Sequence, residues 1–60
     1  MVKLFIAQLY GRRDYEKTML IVAEETRLQD RVRELGYNYC TAQEISEVDG
    51  YEIIVKPKIN

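Results

Sequence analysis

The residues that could carry covalent or acid–base chemistry are few in this 60-residue chain. The sequence has no histidine, so neither a catalytic triad nor an imidazole base can be built. Its single cysteine, Cys40, has no cationic neighbour to lower the thiol pKa, which favours an unreactive, buried side chain. Adjacent carboxylates such as Glu24 and Glu25 are typical of a solvated surface. The sequence therefore predicts a protein that is not an enzyme.

Metal and cofactor sites are not predicted either. One thiol without any imidazole falls short of a zinc site, and the carboxylates lack the spacing of a calcium loop. The three glycines are scattered singly and do not form a phosphate-binding loop. We therefore expect no metal and no cofactor, and an action that consists of binding.

The length and composition predict one small folded domain spanning residues 1–60. The chain is 47% hydrophobic and 32% charged, with a formal net charge of −1. A domain of this size buries only about 60% of its unfolded surface, and its stability is marginal. Because a lone cysteine cannot form an intramolecular disulfide, association with another chain is the remaining way to add stability.

The same features predict a cytoplasmic protein without a membrane segment. Met1 is not followed by a basic stretch and a long apolar stretch, as a secretory signal would require. No apolar run approaches the roughly 20 residues of a membrane helix. A lone thiol is also typical of a reducing compartment.

Two strands and one helix are predicted in the first 36 residues. Residues 2–10 and 17–24 are dense in β-formers with two apolar faces, and the charged segment 11–16 predicts a hairpin loop between them. Residues 24–36 change to helical periodicity, with a possible Thr26/Gln29 capping box and Gly36 as terminator. The apolar stripe of this helix consists of Leu28, Val32 and Leu35.

The remaining third of the chain allows two interpretations. Residues 37–48 form either a third strand or a short helical turn, and Asp49–Gly50 favours a hairpin that leads into a final strand at 51–56. The fold class is therefore α+β, a small antiparallel sheet with one helix. Its order is β-β-α-β-β, or β-β-α-β if residues 41–48 are helical.

The candidate contact residues are tyrosines and acids. Tyrosine is enriched at the energetic centres of protein interfaces, and residues 34–55 contain five acids and no base. A protein partner is therefore expected to touch this part of the chain, at Tyr37, Tyr39, Glu44, Glu47 and Tyr51.

A homodimer is expected because one short helix can cover only one face of a sheet with two apolar faces. The uncovered face would leave a contiguous apolar patch, which a two-fold dimer removes. The sequence does not choose the covered face, so the interface candidates come from both: Phe5, Ile6, Leu9 and Ile21.

Nucleic-acid binding is the alternative function. Arginines near a hairpin tip, flanked by Tyr10 and Tyr15, could contact phosphates and stack on bases. The net charge of −1 argues against it, since general nucleic-acid binders are strongly basic. The residues of this alternative are Arg12, Arg13, Arg27 and Arg31.

Two segments carry a resemblance to a known group of proteins. LIVAEE at 20–25 and VDGYEIIV at 48–55 resemble the small accessory proteins of bacteriophages that infect low-GC Gram-positive bacteria. Several of those are host-takeover or anti-defence factors that bind a host protein. The resemblance implies an inhibitor or modulator of a larger host defence protein. The absence of catalytic residues predicts that it acts stoichiometrically, and the uncovered sheet face predicts that it does so as a homodimer.

Overall fold

The structure, a computed structural model, describes residues 1–11 and 17–59. It confirms the α+β class, with one α-helix and antiparallel sheets. Along the chain the elements are β1 Val2–Tyr10, β2 Lys17–Glu24, a 3₁₀ turn at Glu25–Arg27, α1 Leu28–Glu34, β3 Tyr39–Glu44, β4 Glu47–Val48 and β5 Tyr51–Glu52.

The main sheet has three strands in the order β2-β1-β3, and all of its pairs are antiparallel. Phe5 of the central strand lies opposite Ile21 of β2 and opposite Glu44, the last residue of β3. The predicted hairpin between β1 and β2 is confirmed by this pairing, while its loop residues 12–16 lie outside the described part.

The hydrophobic core lies between α1 and one face of this sheet. Leu9 of β1 and Val32 of α1 have no exposed surface, and burial of each such side chain contributes about 1.5–3 kcal/mol. The odd-numbered residues of β1 and β2 face this core, and the even-numbered ones face the other side. The core residues are Phe5, Ala7, Leu9, Ile21, Ala23, Leu28, Val32, Tyr37 and Cys40.

The helix begins differently from the prediction and ends as predicted. Among the described residues no side chain caps the 3₁₀ turn or α1, so the predicted capping box of Thr26 and Gln29 is wrong. The Gln29 amide instead hydrogen-bonds β3. At the other end Gly36 adopts a φ of +95°, and its N–H donates to the Arg33 carbonyl while that of Tyr37 donates to the Val32 carbonyl. This is a Schellman motif, which needs a left-handed residue where Gly36 stands.

The C-terminal third forms a strand and a separate hairpin. Residues 39–44 are a strand, as one of the two interpretations held, but they pair with β1. The hairpin signal of Asp49–Gly50 is confirmed: both residues have positive φ, 53° and 83°, and join β4 to β5 as a second, two-stranded sheet. The predicted final strand is too long, because β4 offers only two residues for pairing and β5 ends at Glu52.

Candidate protein-binding face

The uncovered side of the main sheet carries an exposed aliphatic patch. Its members come from even positions of β1 and β2, which the alternation of a strand places on one side. We call this patch the open face: Val2 (42% exposed), Leu4 (half-buried), Ile6 (43%), Leu20 (59%) and Val22 (49%). Ile6 lies opposite Leu20 and Leu4 opposite Val22, so the side chains form two adjoining cross-strand pairs.

The chemistry of the sheet changes along its length. Next to Ile6 a polar band crosses the same side, where Gln8 lies opposite both Thr18 and Thr41. A shallow depression of about 340 Å³ lies over this band and is too open to enclose a small ligand. Beyond it the rings of Tyr10 and Tyr39 stack with their centroids 5.0 Å apart.

The dimer-interface candidates divide between the two sides of the sheet. Ile6 lies on the open face as that prediction requires. Phe5, Leu9 and Ile21 are 4%, 0% and 4% exposed because α1 covers them. For these three the interface prediction is corrected to a core position.

The tyrosine candidates also separate. Tyr37 is 7% exposed and belongs to the core, so it is corrected as a contact residue; the Schellman motif turns it toward Val32. Tyr39 is half-exposed above the polar band, and Tyr51 is 74% exposed on the small hairpin.

The acidic candidates have distinct surroundings. Glu44 accepts an ion pair from Lys3 at 3.3 Å, and Lys3 also approaches Glu25 at 3.6 Å. The hydrogen bond and charge of Glu44, followed by the charge of Glu25, raise the Lys3 pKa above its ordinary value. Because Glu44 and Tyr39 differ by an odd number of positions along β3, they lie on opposite sides of the sheet. They cannot both touch one flat partner surface.

The small hairpin concentrates negative charge. Glu47 and Glu52 lie directly opposite each other across its two strands, and Asp49 is at its turn. Like charges opposite each other destabilise a strand pair, so this hairpin is weakened by the repulsion between the two carboxylates. The hairpin begins two residues after Ile45, whose N–H donates to the Leu4 carbonyl at the aliphatic end of the open face.

Cys40 is part of the packing. Burial raises the pKa of its thiol, and a hydrogen bond from Gln29 only partly opposes that rise. The Gln29 side chain makes two hydrogen bonds with the backbone of Cys40. Its Nε2 donates to the Cys40 carbonyl and its Oε1 accepts from the Cys40 N–H, both at 3.1 Å. The protonated, buried thiol is a poor nucleophile.

The arginines of the nucleic-acid alternative are only partly described. Arg12 and Arg13 lie outside the described residues. Arg27 and Arg31 are exposed on the helical segment, and Arg31 is bound to Glu34 at 3.4 Å. An arginine already paired with an acid is a weaker phosphate ligand.

The sequence analysis identified only part of the open face. Sequence reasoning missed Val2, Leu20 and Val22 as surface residues because both faces of the strands are apolar. The usable signal is the size of the side chains: Ala7 and Ala23 lie under the helix, whereas polar Gln8 and Thr18 mark the other side.

Comparison with known proteins found no match for this chain. No protein family, no curated protein and no solved structure matches it. Within the described residues no group of side chains is suited to hold a metal ion. No helix in residues 1–11 and 17–59 is long and apolar enough to cross a membrane.

Proposed function

We propose that the protein is a protein-binding module whose open face binds a larger partner protein. The observation that carries this proposal is the open face itself. Five aliphatic side chains on one side of the main sheet, four of them 42–59% exposed, adjoin without a described helix to cover them. Contiguous apolar patches of this kind on small proteins mark interaction sites.

The surroundings of the open face indicate the chemistry of the partner. The patch itself carries no charge, so the partner contributes an aliphatic surface to its centre. The acidic hairpin starts from the same end of the sheet, where it can meet basic residues beside that surface. Tyr39, Glu47 and Tyr51 stay contact candidates under this proposal, at the edges of the buried centre.

The resemblance to phage accessory proteins extends the proposal to biology. The partner would be a larger host protein, such as a component of a defence system, and the module would inhibit or modulate it by occupying a surface. Binding of this kind is stoichiometric. Inhibition then saturates near one chain or one dimer per target.

The test compares two bait proteins that differ from the wild type by one added positive charge. Ile6→Lys places the charge in the centre of the open face, whereas Thr26→Lys places it at an exposed position of the 3₁₀ turn. We expect the partner captured by wild type to be retained by Thr26→Lys and lost by Ile6→Lys. Titration calorimetry with that purified partner then gives the stoichiometry.

Two results would overturn the proposal. One is a partner that binds Ile6→Lys as tightly as it binds the wild type, since the open face would then be irrelevant. The other is conversion of many target molecules by a trace of this protein, which requires turnover. Binding to heparin that falls steeply with salt would favour the nucleic-acid alternative instead.

A further inference from the structure

The two edges of the main sheet differ in what occupies them. On the β3 side the Gln29 amide holds both backbone groups of Cys40, so part of that edge is already bonded. On the β2 side no described residue makes a backbone hydrogen bond to the outer edge; β1 is the only neighbour of β2 in the sheet. The β2 edge is therefore the one that can accept another strand.

The direction of the backbone groups on β2 follows from the Gln29 contact. Because the Cys40 N–H and C=O point away from β1, its partner Leu9 directs its own groups toward β2. Odd residues of β1 and β2 therefore bond to each other, since Leu9 lies opposite Lys17. Even residues of β2 direct their N–H and C=O groups outward. The bond from Ile45 to the Leu4 carbonyl agrees, because even residues of β1 serve β3.

The outer edge of β2 lacks the features that prevent pairing. It is eight residues long, contains neither proline nor glycine, and its only basic residue is at the first position. Two of its outward-bonding residues, Leu20 and Val22, are apolar and half-exposed. Long apolar edges of this type pair with another chain unless something blocks them.

The charges of β2 favour one orientation of the added strand. Lys17 is its first residue, and Glu24 ends it, followed by Glu25. These carboxylates contact the N-terminal ammonium and Lys3, yet their side chains stay 51% and 73% exposed. A second copy running antiparallel places its basic end at the acidic end of the first, whereas a parallel copy places like charges together.

We propose that a second copy of this chain pairs through β2, about a two-fold axis perpendicular to the sheet, to give one six-stranded antiparallel sheet. In the register that fits best, Leu20 of each copy lies opposite Val22 of the other. That register gives four hydrogen-bonded residue pairs and brings Lys17 to Glu25. In the alternative register, the two Leu20 residues lie opposite each other. It gives only three hydrogen-bonded residue pairs, and it places Lys17 opposite the uncharged Ala23.

The proposal refines the proposed function by giving each surface its own occupant. The β2 edge holds the second copy, and the two open faces join into one larger apolar surface on the same side of the sheet. The homodimer then leaves the open face free for the target. Only the statement that the open face stays free for the target rests on the proposed function. The dimer and the proposed function can therefore fail separately.

The first experiment removes one outward N–H. Thr18→Pro removes the backbone N–H of residue 18, which points to the outer edge and is not bonded to β1. Thr18→Val keeps this N–H and has a side chain of similar shape. We expect the wild type and Thr18→Val to scatter light as dimers, and Thr18→Pro to stay folded by circular dichroism with a dimer Kd about tenfold to a hundredfold higher, since two hydrogen bonds are lost per dimer. Ile6→Lys should stay dimeric while losing the target.

The second experiment determines the register by disulfide cross-linking between introduced cysteines. A double variant with Leu20→Cys and Val22→Cys should form cross-linked dimers, and Leu20→Cys as a single variant should not, because two Leu20 positions are not opposite each other. The proposal is overturned if the wild type is monomeric at micromolar concentration, if Thr18→Pro is folded with an unchanged Kd, or if Leu20→Cys cross-links as efficiently as the double variant. Dimers lost in Ile6→Lys would assign the contact to face-to-face packing.

Discussion

The two sides of the main sheet are built from the same strands and nearly the same residue types, yet one side is buried and the other is exposed. On the covered side Phe5, Leu9 and Ile21 are at most 4% exposed, while Ile6 and Leu20 one position away are 43% and 59% exposed. Hydrophobicity does not separate them. The difference comes from the small residues Ala7 and Ala23, which let α1 approach one side, and from the polar band that interrupts the other.

The comparison teaches that an apolar residue in a small domain is not by itself a core residue. Val2 to Tyr10 contributes to both sides in alternation, so shifting a single position along β1 changes whether a side chain is buried in the core or exposed on the open face. Substitutions at neighbouring positions should therefore act on different properties.

The largest expected effect comes from placing the same charge on either side of β1. Phe5→Lys loses an aromatic side chain worth about 3–5 kcal/mol and puts an ammonium under the helix, which exceeds the stability that a domain of this size has to lose. We expect it to be unfolded by circular dichroism at 25 °C. Ile6→Lys should keep the wild-type spectrum. An Ile6→Lys protein that unfolds as readily as Phe5→Lys would show that the two sides are not independent.

An intermediate effect is expected at the contact between α1 and β3. Gln29→Ala removes two hydrogen bonds to Cys40, and each contributes about 0.5–1.5 kcal/mol to the free energy of unfolding. Urea denaturation should therefore show a loss of about 1–3 kcal/mol, and the Cys40 amide should exchange its hydrogen faster. Gln43→Ala, an exposed amide beside Ile6, is the control and should change stability by less than about 0.5 kcal/mol.

The smallest effect concerns pH and the end of the covered side. Since Glu44 and Glu25 raise the Lys3 pKa above 10.5, their contribution to stability is fully present below that pH. It is lost as the pH rises through the folded-state pKa. Lys3→Met should therefore make the free energy of unfolding fall less steeply with pH above 10.5 than in the wild type. Lys56→Met is the control, and an identical slope in both variants would contradict the role of the ion pairs.

The sequence predicts the elements of this fold better than their partners. The density of β-forming residues in 2–10 and 17–24 and the glycine at 36 identify β1, β2 and the helix end, because these signals are local. The pairing of β3 with β1 depends on contacts between distant residues, and no local pattern contains it. The same reason explains Gln29, whose side chain could have capped its own helix and instead bonds a strand 11 residues away.

The candidate site was predictable only in outline. An uncovered apolar side follows from counting one helix against two apolar faces. Its identity depends on which side α1 covers, and so three of the four interface candidates proved to be core residues. Tyr37 was misjudged because its burial is set by the turn after Gly36.

The two hydrogen bonds between the Gln29 amide and the Cys40 backbone also affect how many chains can join into one sheet. A sheet with two receptive edges can keep adding copies, and such growth produces fibrils. In the proposed pairing through β2, only the edges interrupted by the Gln29 amide are left at the two ends, so assembly would stop at two copies. A single glutamine would in this way make the difference between a closed particle and an open-ended polymer, and Gln29→Ala should show thioflavin-positive aggregation that the wild type lacks.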